Sequence, residues 1–188
     1  RQFKNHRFYF YYHFSQRGYA QQAFQSFGGV NQPGITEDQL LHLVGESGMA
    51  WYHANSHTWP RTSETNYAWN NDHTQNSPAF WDSYLHIATE THIDKYEPNE
   101  KTIKPLRSGA IPMFVAISGY VDQLTRIGFD FDFEGIDYSY DREPVWQKRI
   151  DGMLHELDRI YADIEDIWHA NHHRLQYNAE LFHSEEFQ

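Results

Sequence analysis

Two glutamates, two lysines and an arginine crowd into the middle of the chain: Glu90, then Glu100, Lys101, Lys104 and Arg107. Glu90 follows a short apolar run, Tyr84 to Thr89, that reads as a strand buried on both faces. Glu100 opens a segment, Glu100 to Ser108, that reads as a helix with Asn99 as its N-cap and Gly109 just past its end; Pro105 is expected to kink it. In an open α/β sheet, ligands bind beyond the carboxyl ends of the parallel strands, which is where Glu90 would lie. A helix N-terminus offers free backbone N–H groups and a partial positive charge, and two lysines in the first turns add formal charge. The pattern therefore suits a diphosphate, with the two carboxylates holding ribose or sugar hydroxyls. Arg107 is a weaker third cation. The same spacing also describes a solvated helix whose Glu and Lys side chains pair locally, and both readings stay open at this point.

These side chains need a scaffold, and the flanking sequence predicts one. Ile111 to Ile117 is a second strand, stopped by Ser118-Gly119. Tyr120 to Ile127 reads as a helix closed by Gly128, and Phe129 to Phe133 as a third short strand. Strand, helix, strand, helix, strand is the order of an α/β unit with right-handed crossovers. After Pro144, apolar residues Trp146, Ile150, Met153, Leu157, Ile160, Ile164 and Ile167 recur at steps of four and three. This predicts a long amphipathic helix over 145–182, its stripe used for core packing rather than a coiled-coil seam. At the other end, Phe3 to Phe27 suggests a helix within 1–30, ended by Gly28-Gly29, although Tyr9 to Tyr12 suits a strand equally. Thr36 and Gln39 form a capping-box pattern before Leu40, Leu41, Leu43 and Val44, and Gly45 should stop that helix. Ser47 to Asn76 reads as a long loop pinned by Trp51, Trp59 and Trp69. The expected fold class is α/β: a small parallel sheet with flanking helices and a long C-terminal amphipathic helix, residues 1–188 forming one domain on which the N- and C-terminal helices pack.

Several short motifs in one order resemble a glycosyltransferase family related to the fucosyltransferases. That family carries a Phe-Glu-Asn-Ser element followed by Thr-Glu-Lys, with the same ten-residue separation of glutamates seen here between Glu90 and Glu100. Glu100-Lys101 matches its Glu-Lys pair, while Thr91-His92 and Asn99 stand where the family has Asn-Ser and Thr. The chain is also similar to phage and environmental glycosyltransferase-like proteins with a "TEKT-x-KP" helix, "L-x-x-x-GF" and "D-x-SYD". The corresponding residues are Glu100-Lys101-Thr102-Ile103-Lys104-Pro105, Leu124 to Gly128-Phe129, and Asp137-Tyr138-Ser139-Tyr140-Asp141. The resemblance covers the middle third of the chain. It implies half of a GT-B-like fold that binds a nucleotide-activated sugar as substrate, with no metal or other cofactor. A second domain or protein chain would complete the site and supply the general base. The alternative is a non-catalytic structural or interaction module derived from such an enzyme, for instance in a viral particle or larger assembly.

Composition narrows the remaining classes. Fifteen Lys and Arg against 26 Asp and Glu leave a formal charge of −11, which argues against a bulk electrostatic grip on nucleic acid. Without cysteine, disulfide scaffolds, thiolate zinc sites and cysteine nucleophiles are excluded. An aromatic content of 17% beside a mean hydropathy of −0.80 points to a packed core under a polar surface. The absence of an 18-residue apolar run removes a membrane-spanning helix. The expected location is cytoplasmic, or host cytoplasm or virion were the chain viral. It opens on Arg1 rather than methionine, as a fragment or a processed product would. Among the 13 histidines, His169, His172 and His173 have helical metal-ligand spacing, but lacking a carboxylate partner they read as surface residues. His53 and His57 share that spacing on a segment expected to be a loop. Asp130, Asp132 and Glu134 resemble a DxD metal motif, yet their alternation with Phe129, Phe131 and Phe133 is simpler as an edge strand. Asp137, Ser139 and Asp141 are expected to fix a turn through local side-chain to backbone bonds.

Overall fold

The computed structural model describes residues 4–23, 26–27, 36–58, 61–62 and 82–183 of the 188. The protein is mixed α/β and divides into two compact units, Arg1–Asn66 and Tyr67–Gln188. Gly28-Gly29, Trp59 and Trp69 lie outside the described residues.

In the first unit, α1 (Asn5–Gln16) settles the helix-or-strand ambiguity of the aromatic N-terminal run. Its N-terminus carries no capping side chain, so packing rather than local propensity holds it. Phe8 and Tyr11 are buried with Leu40, and Trp51 meets Phe8, Tyr11 and Tyr12 at ring separations of 6.2, 6.0 and 5.4 Å. Residues Ser26–Phe27 (β1) and Arg61–Thr62 (β2) pair antiparallel. The capping box forms as expected: Gln39 N–H donates to Thr36 Oγ1 at 3.2 Å, and Thr36 N–H to Gln39 Oε1 at 2.9 Å.

That helix, α2 (Glu37–Asn55), does break at Gly45, whose φ of +67° is open to glycine. It then resumes, so the loop expected from Ser47 is helical as far as Asn55. The reason is tertiary: Met49, Trp51 and Tyr52 pack against the α1 aromatics, outweighing the loop-like composition. The kink folds Val44 back onto Gly48, where a Cβ would fall 2.3 Å from the valine side chain.

The second unit holds the central segment. Strands β3 (Leu85–Thr89) and β4 (Ile111–Val115) are parallel, with Leu85 opposite Ile111 and Thr89 opposite Val115. Between them, α3 (Glu100–Ser108) has the predicted ends: Asn99 Oδ1 accepts the Lys101 N–H at 3.0 Å, and Gly109 follows the last turn. The helix runs through the buried Pro105. Every β4 residue is buried, as a strand covered on both faces requires.

Bonds from Ile111 N–H to Tyr84 O and from Glu90 N–H to Val115 O fix which β4 residues face β3. In a parallel ladder alternate residues then turn to the other edge, so Pro112 and Ala116 point away, and proline's missing N–H falls where no strand needs it. Side chains cover that edge instead: Tyr138 Oη donates to Pro112 O at 2.7 Å and Arg149 Nε to Ala116 O at 3.0 Å.

The third strand, expected over Phe129 to Phe133, does not form. The alternation survives, with Phe129, Phe131 and Phe133 buried, but the backbone partners are two asparagines, Asn171 in the turn before the last helix and Asn178 within that helix. Asn178 accepts from Asp130 N–H and donates to Asp130 O, both at 2.7 Å. Asn171 does the same for Glu134 at 2.7 and 2.8 Å. Each amide thus completes both polar groups of one residue, as a neighbouring strand would. Seven helical residues rise roughly 10 Å and four extended residues roughly 13 Å, close enough for one helix to clamp both points. Asn171 and Asn178 are 0% and 1% exposed, so Asn178→Asp would bring a charge beside Asp130 and lose the donor to its carbonyl. We expect a loss of about 2 kcal/mol in urea unfolding; a loss within error would show that water can replace the clamp.

Helix α4 (Tyr120–Arg126) packs Tyr120, Val121 and Leu124 into the core with Phe114, Phe129 and Phe131. The long C-terminal helix comprises α5 (Trp146–Ile160), a 3-10 turn over Tyr161–Asp163 and α6 (Ile164–Ala170). After Asn171, α7 (His172–His183) continues. The stripe serves core packing, with Ile150, Met153, Leu157 and Ile160 buried. No described helix is long and apolar enough to cross a membrane.

Candidate functional site

Parallel pairing of β3 and β4 puts the carboxyl end of β3 beside the N-terminus of α3, and Glu90 sits at that junction. It is 2% exposed. Its carboxylate accepts from the Thr91 N–H at 3.3 Å, the Tyr120 hydroxyl at 3.3 Å, the Asn99 amide and the Thr102 hydroxyl. The Tyr120 hydroxyl lies within hydrogen-bond reach of Thr102 Oγ1 as well as the carboxylate, and its single proton is shared between them. One carboxylate therefore ties the strand end to the cap and first turn of α3 and to the start of α4. A buried charge demands such partners, and here four donors meet it. Burial first, then the neighbouring Glu90 charge, raises the Tyr120 phenol, which stays a donor throughout the physiological range. Tyr96 covers Tyr120 at a ring separation of 5.3 Å.

Glu100 and Lys101 stand on the outer side of the same junction. Each is about one-third exposed, and the Lys101 ammonium reaches Glu100 Oε1 at 2.7 Å, Asn99 Oδ1 at 3.2 Å and Thr91 Oγ1 at 3.3 Å. Burial pushes the Glu100 carboxyl up, but the Lys101 hydrogen bond, a backbone hydrogen bond and the charges of Lys101 and Lys104 together hold it below its ordinary value. Glu90, Glu100 and Lys101 are thus brought together through Asn99. Lys104 lies one turn on, where burial first and then its charge lower His86 of β3 to about 4. Arg107 is half-buried in the last turn of α3, away from the capped end. Sequence reasoning missed Thr102 and Tyr120, 12 and 30 residues from Glu90; a threonine in the first turn of the helix following Glu90 was the available signal.

The remaining candidates have other partners. Arg174 of α7 pairs with both aspartates of the DxD-like run, at 2.5 Å from Asp130 and 3.4 Å from Asp132. His169 and His172 flank Trp168, at ring separations of 5.0 and 5.1 Å, and among the described residues no three His, Asp or Glu side chains converge as a metal site. His53 lies in the last turn of α2 and His57 in the 3-10 turn after it. Asp137 closes a local turn as expected, accepting from Ser139 N–H at 2.8 Å and Ser139 Oγ at 2.9 Å. Asp141 does not. Its Oδ2 accepts the Val121 N–H at 2.9 Å and its carbonyl the Gly119 N–H, capping α4 from 20 residues away. The helix start needs an acceptor there, and Gly119 has no side chain to offer one.

Comparison with protein-family models, with curated proteins and with solved structures returned no match to this chain.

Proposed function

We propose that the junction of β3 and α3 binds the diphosphate of a nucleotide-activated sugar, as the donor half of a glycosyltransferase-like protein working without a metal. The observation that carries this reading is the Lys101 ammonium, held one-third exposed by three oxygens at a capped helix N-terminus beyond the carboxyl ends of two parallel strands. Such a cation is fixed before a ligand arrives, so little ordering entropy is lost on binding. Lys101, with Lys104 one turn on, offsets the charge of the leaving diphosphate, and Glu100 accepts from ribose or sugar hydroxyls. Glu90 holds Asn99 and Thr102, and so the helix end, in place. Arg107 adds long-range positive charge. A second domain or chain supplies the acceptor side and the general base.

A non-catalytic interaction module is the second reading, favoured by the saturation of Glu90: four donors of its own chain already occupy the carboxylate. Incubation with UDP-glucose, UDP-galactose, GDP-mannose and GDP-fucose, followed by release of free nucleotide, separates the two. The first reading expects slow donor hydrolysis, unchanged by a chelator and reduced in Lys101→Ala. No release from any donor, with stable association in a large complex, favours the second.

A further inference from the structure

A groove of about 440 Å³ opens between α5 and the turn over residues 137–143, and it shares no residue with the junction of β3 and α3. Its size falls in the range of small-molecule sites. One wall is a single face of α5: Lys148, Gly152, His155 and Arg159 recur at four, three and four residues, the spacing that aligns side chains along a helix. The opposite wall is Asp137, Ser139 and Glu143, with Tyr140 giving apolar surface at the base. The three carboxylates of the groove, Asp137, Glu143 and Glu156 of α5, already have partners. Asp137 holds Ser139; Glu143 Oε1 accepts the Val145 N–H at 2.9 Å; and Glu156 accepts from Arg159 Nε at 2.8 Å and the Asp137 N–H at 2.7 Å. Arg159 is braced in turn by Gly135 O at 2.6 Å. Among the described residues, Lys148 and His155 make no hydrogen bond or ion pair.

Both signs of charge line the groove, three carboxylates against Lys148 and Arg159, with His155 beside them. A net anion entering the groove meets the carboxylates, and a net cation meets Lys148 and Arg159. What remains is a dense alternation of donors and acceptors, because an ionised carboxylate offers about four lone-pair positions, only part of which are used. A hydroxyl both donates and accepts, so a ligand carrying several of them satisfies such a surface with no charge to desolvate. We propose that this groove binds a neutral, multiply hydroxylated ligand of mono- or disaccharide size. The Glu156–Arg159 pair holds the surface rigid before the ligand arrives.

The test is amide NMR of the full chain titrated with glucose, galactose, maltose and lactose, with pyrophosphate and spermidine as charged probes. Saturable shifts at Ser139, Tyr140, Gly152 and His155 are expected with the neutral sugars alone. His155→Trp, at an exposed helix position, should weaken them by about tenfold while leaving the rest of the spectrum in place. Lys148→Glu, as a second variant, should weaken the sugars and admit spermidine. Three results would overturn the proposal: no shift at these residues with any of the four sugars, shifts there with a charged probe alone, or undiminished affinity in His155→Trp. Pyrophosphate shifts confined to Thr91, Glu100 and Lys101 report the other site, so the two readings fail separately.

Discussion

Glu90→Ala should lower the stability of the second unit by about 3–5 kcal/mol, among the largest effects of any single substitution here. Among the described residues no other single group accepts from the Asn99 amide and the Thr102 and Tyr120 hydroxyls together, and the carboxylate is 2% exposed. Removing it leaves the Asn99 amide only its longer bond to Glu97 O at 3.4 Å and leaves one proton of the Thr102–Tyr120 hydroxyl pair without an acceptor, where water enters with difficulty. Glu90→Gln keeps one acceptor oxygen but sets a donor against donors, so it should cost about 1–3 kcal/mol. Urea unfolding followed by circular dichroism measures both. A loss under about 1 kcal/mol for the alanine variant would mean that the carboxylate is not the hinge of this junction.

Asp141→Asn should stabilise the protein near pH 7.5 and make little difference near pH 4. Asp141 is 1% exposed, and burial raises its carboxyl to about 6 against the opposing pull of the Val121 N–H and the Arg149 charge. Its Oδ1 has no hydrogen-bond partner among the described residues. The folded protein thus holds the proton more tightly than the unfolded chain. The contribution is fully present below the ordinary value of 3.8 and is lost as pH rises through about 6. About two pH units of difference correspond to roughly 3 kcal/mol. Asparagine keeps an oxygen for the Val121 N–H and carries no charge, so it escapes that loss; we expect a gain of about 2 kcal/mol at pH 7.5. His86 acts in the opposite sense, since burial and then Lys104 lower it to about 4, and its contribution disappears as pH falls from 6.5. Paired unfolding curves of wild type and variant, taken from pH 4 to 8, isolate the Asp141 part. A constant difference across that range would contradict it.

Local signals carried furthest where the structure is local. The ends of α3 follow from Asn99 and Gly109 because a cap and a left-handed glycine act within one turn. The Thr36 and Gln39 box, the Gly45 break and the stripe through Ile150, Met153 and Leu157 were legible for the same reason. What escaped depends on distant residues. The Phe129 to Phe133 run has a strand's alternation, but whether a strand or a pair of asparagines 37 and 48 residues away completes its backbone is decided by the fold. Helix 46–55 looks like a loop because its composition is polar, and only the α1 aromatics give Met49 and Trp51 a surface to bury. At the candidate site the sequence placed Glu90, Glu100 and Lys101 at one strand end but could not show that Thr102 and Tyr120 converge on the first of them. Asp141 was assigned to its own turn because capping across 20 residues leaves no local trace.

Calorimetric titration of the full chain with UDP and with GDP, repeated with Lys101→Ala, tests the central proposal most directly. Lys101 is about one-third exposed and makes no bond to Glu90, whose donors are Asn99, Thr102, Tyr120 and the Thr91 N–H, so its removal leaves the Glu90 network standing and separates binding from folding. The account predicts saturable binding of at least one nucleoside diphosphate, weakened by about tenfold or more in the variant at unchanged circular dichroism. No binding of either nucleotide, or equal affinity with and without the ammonium, would contradict it.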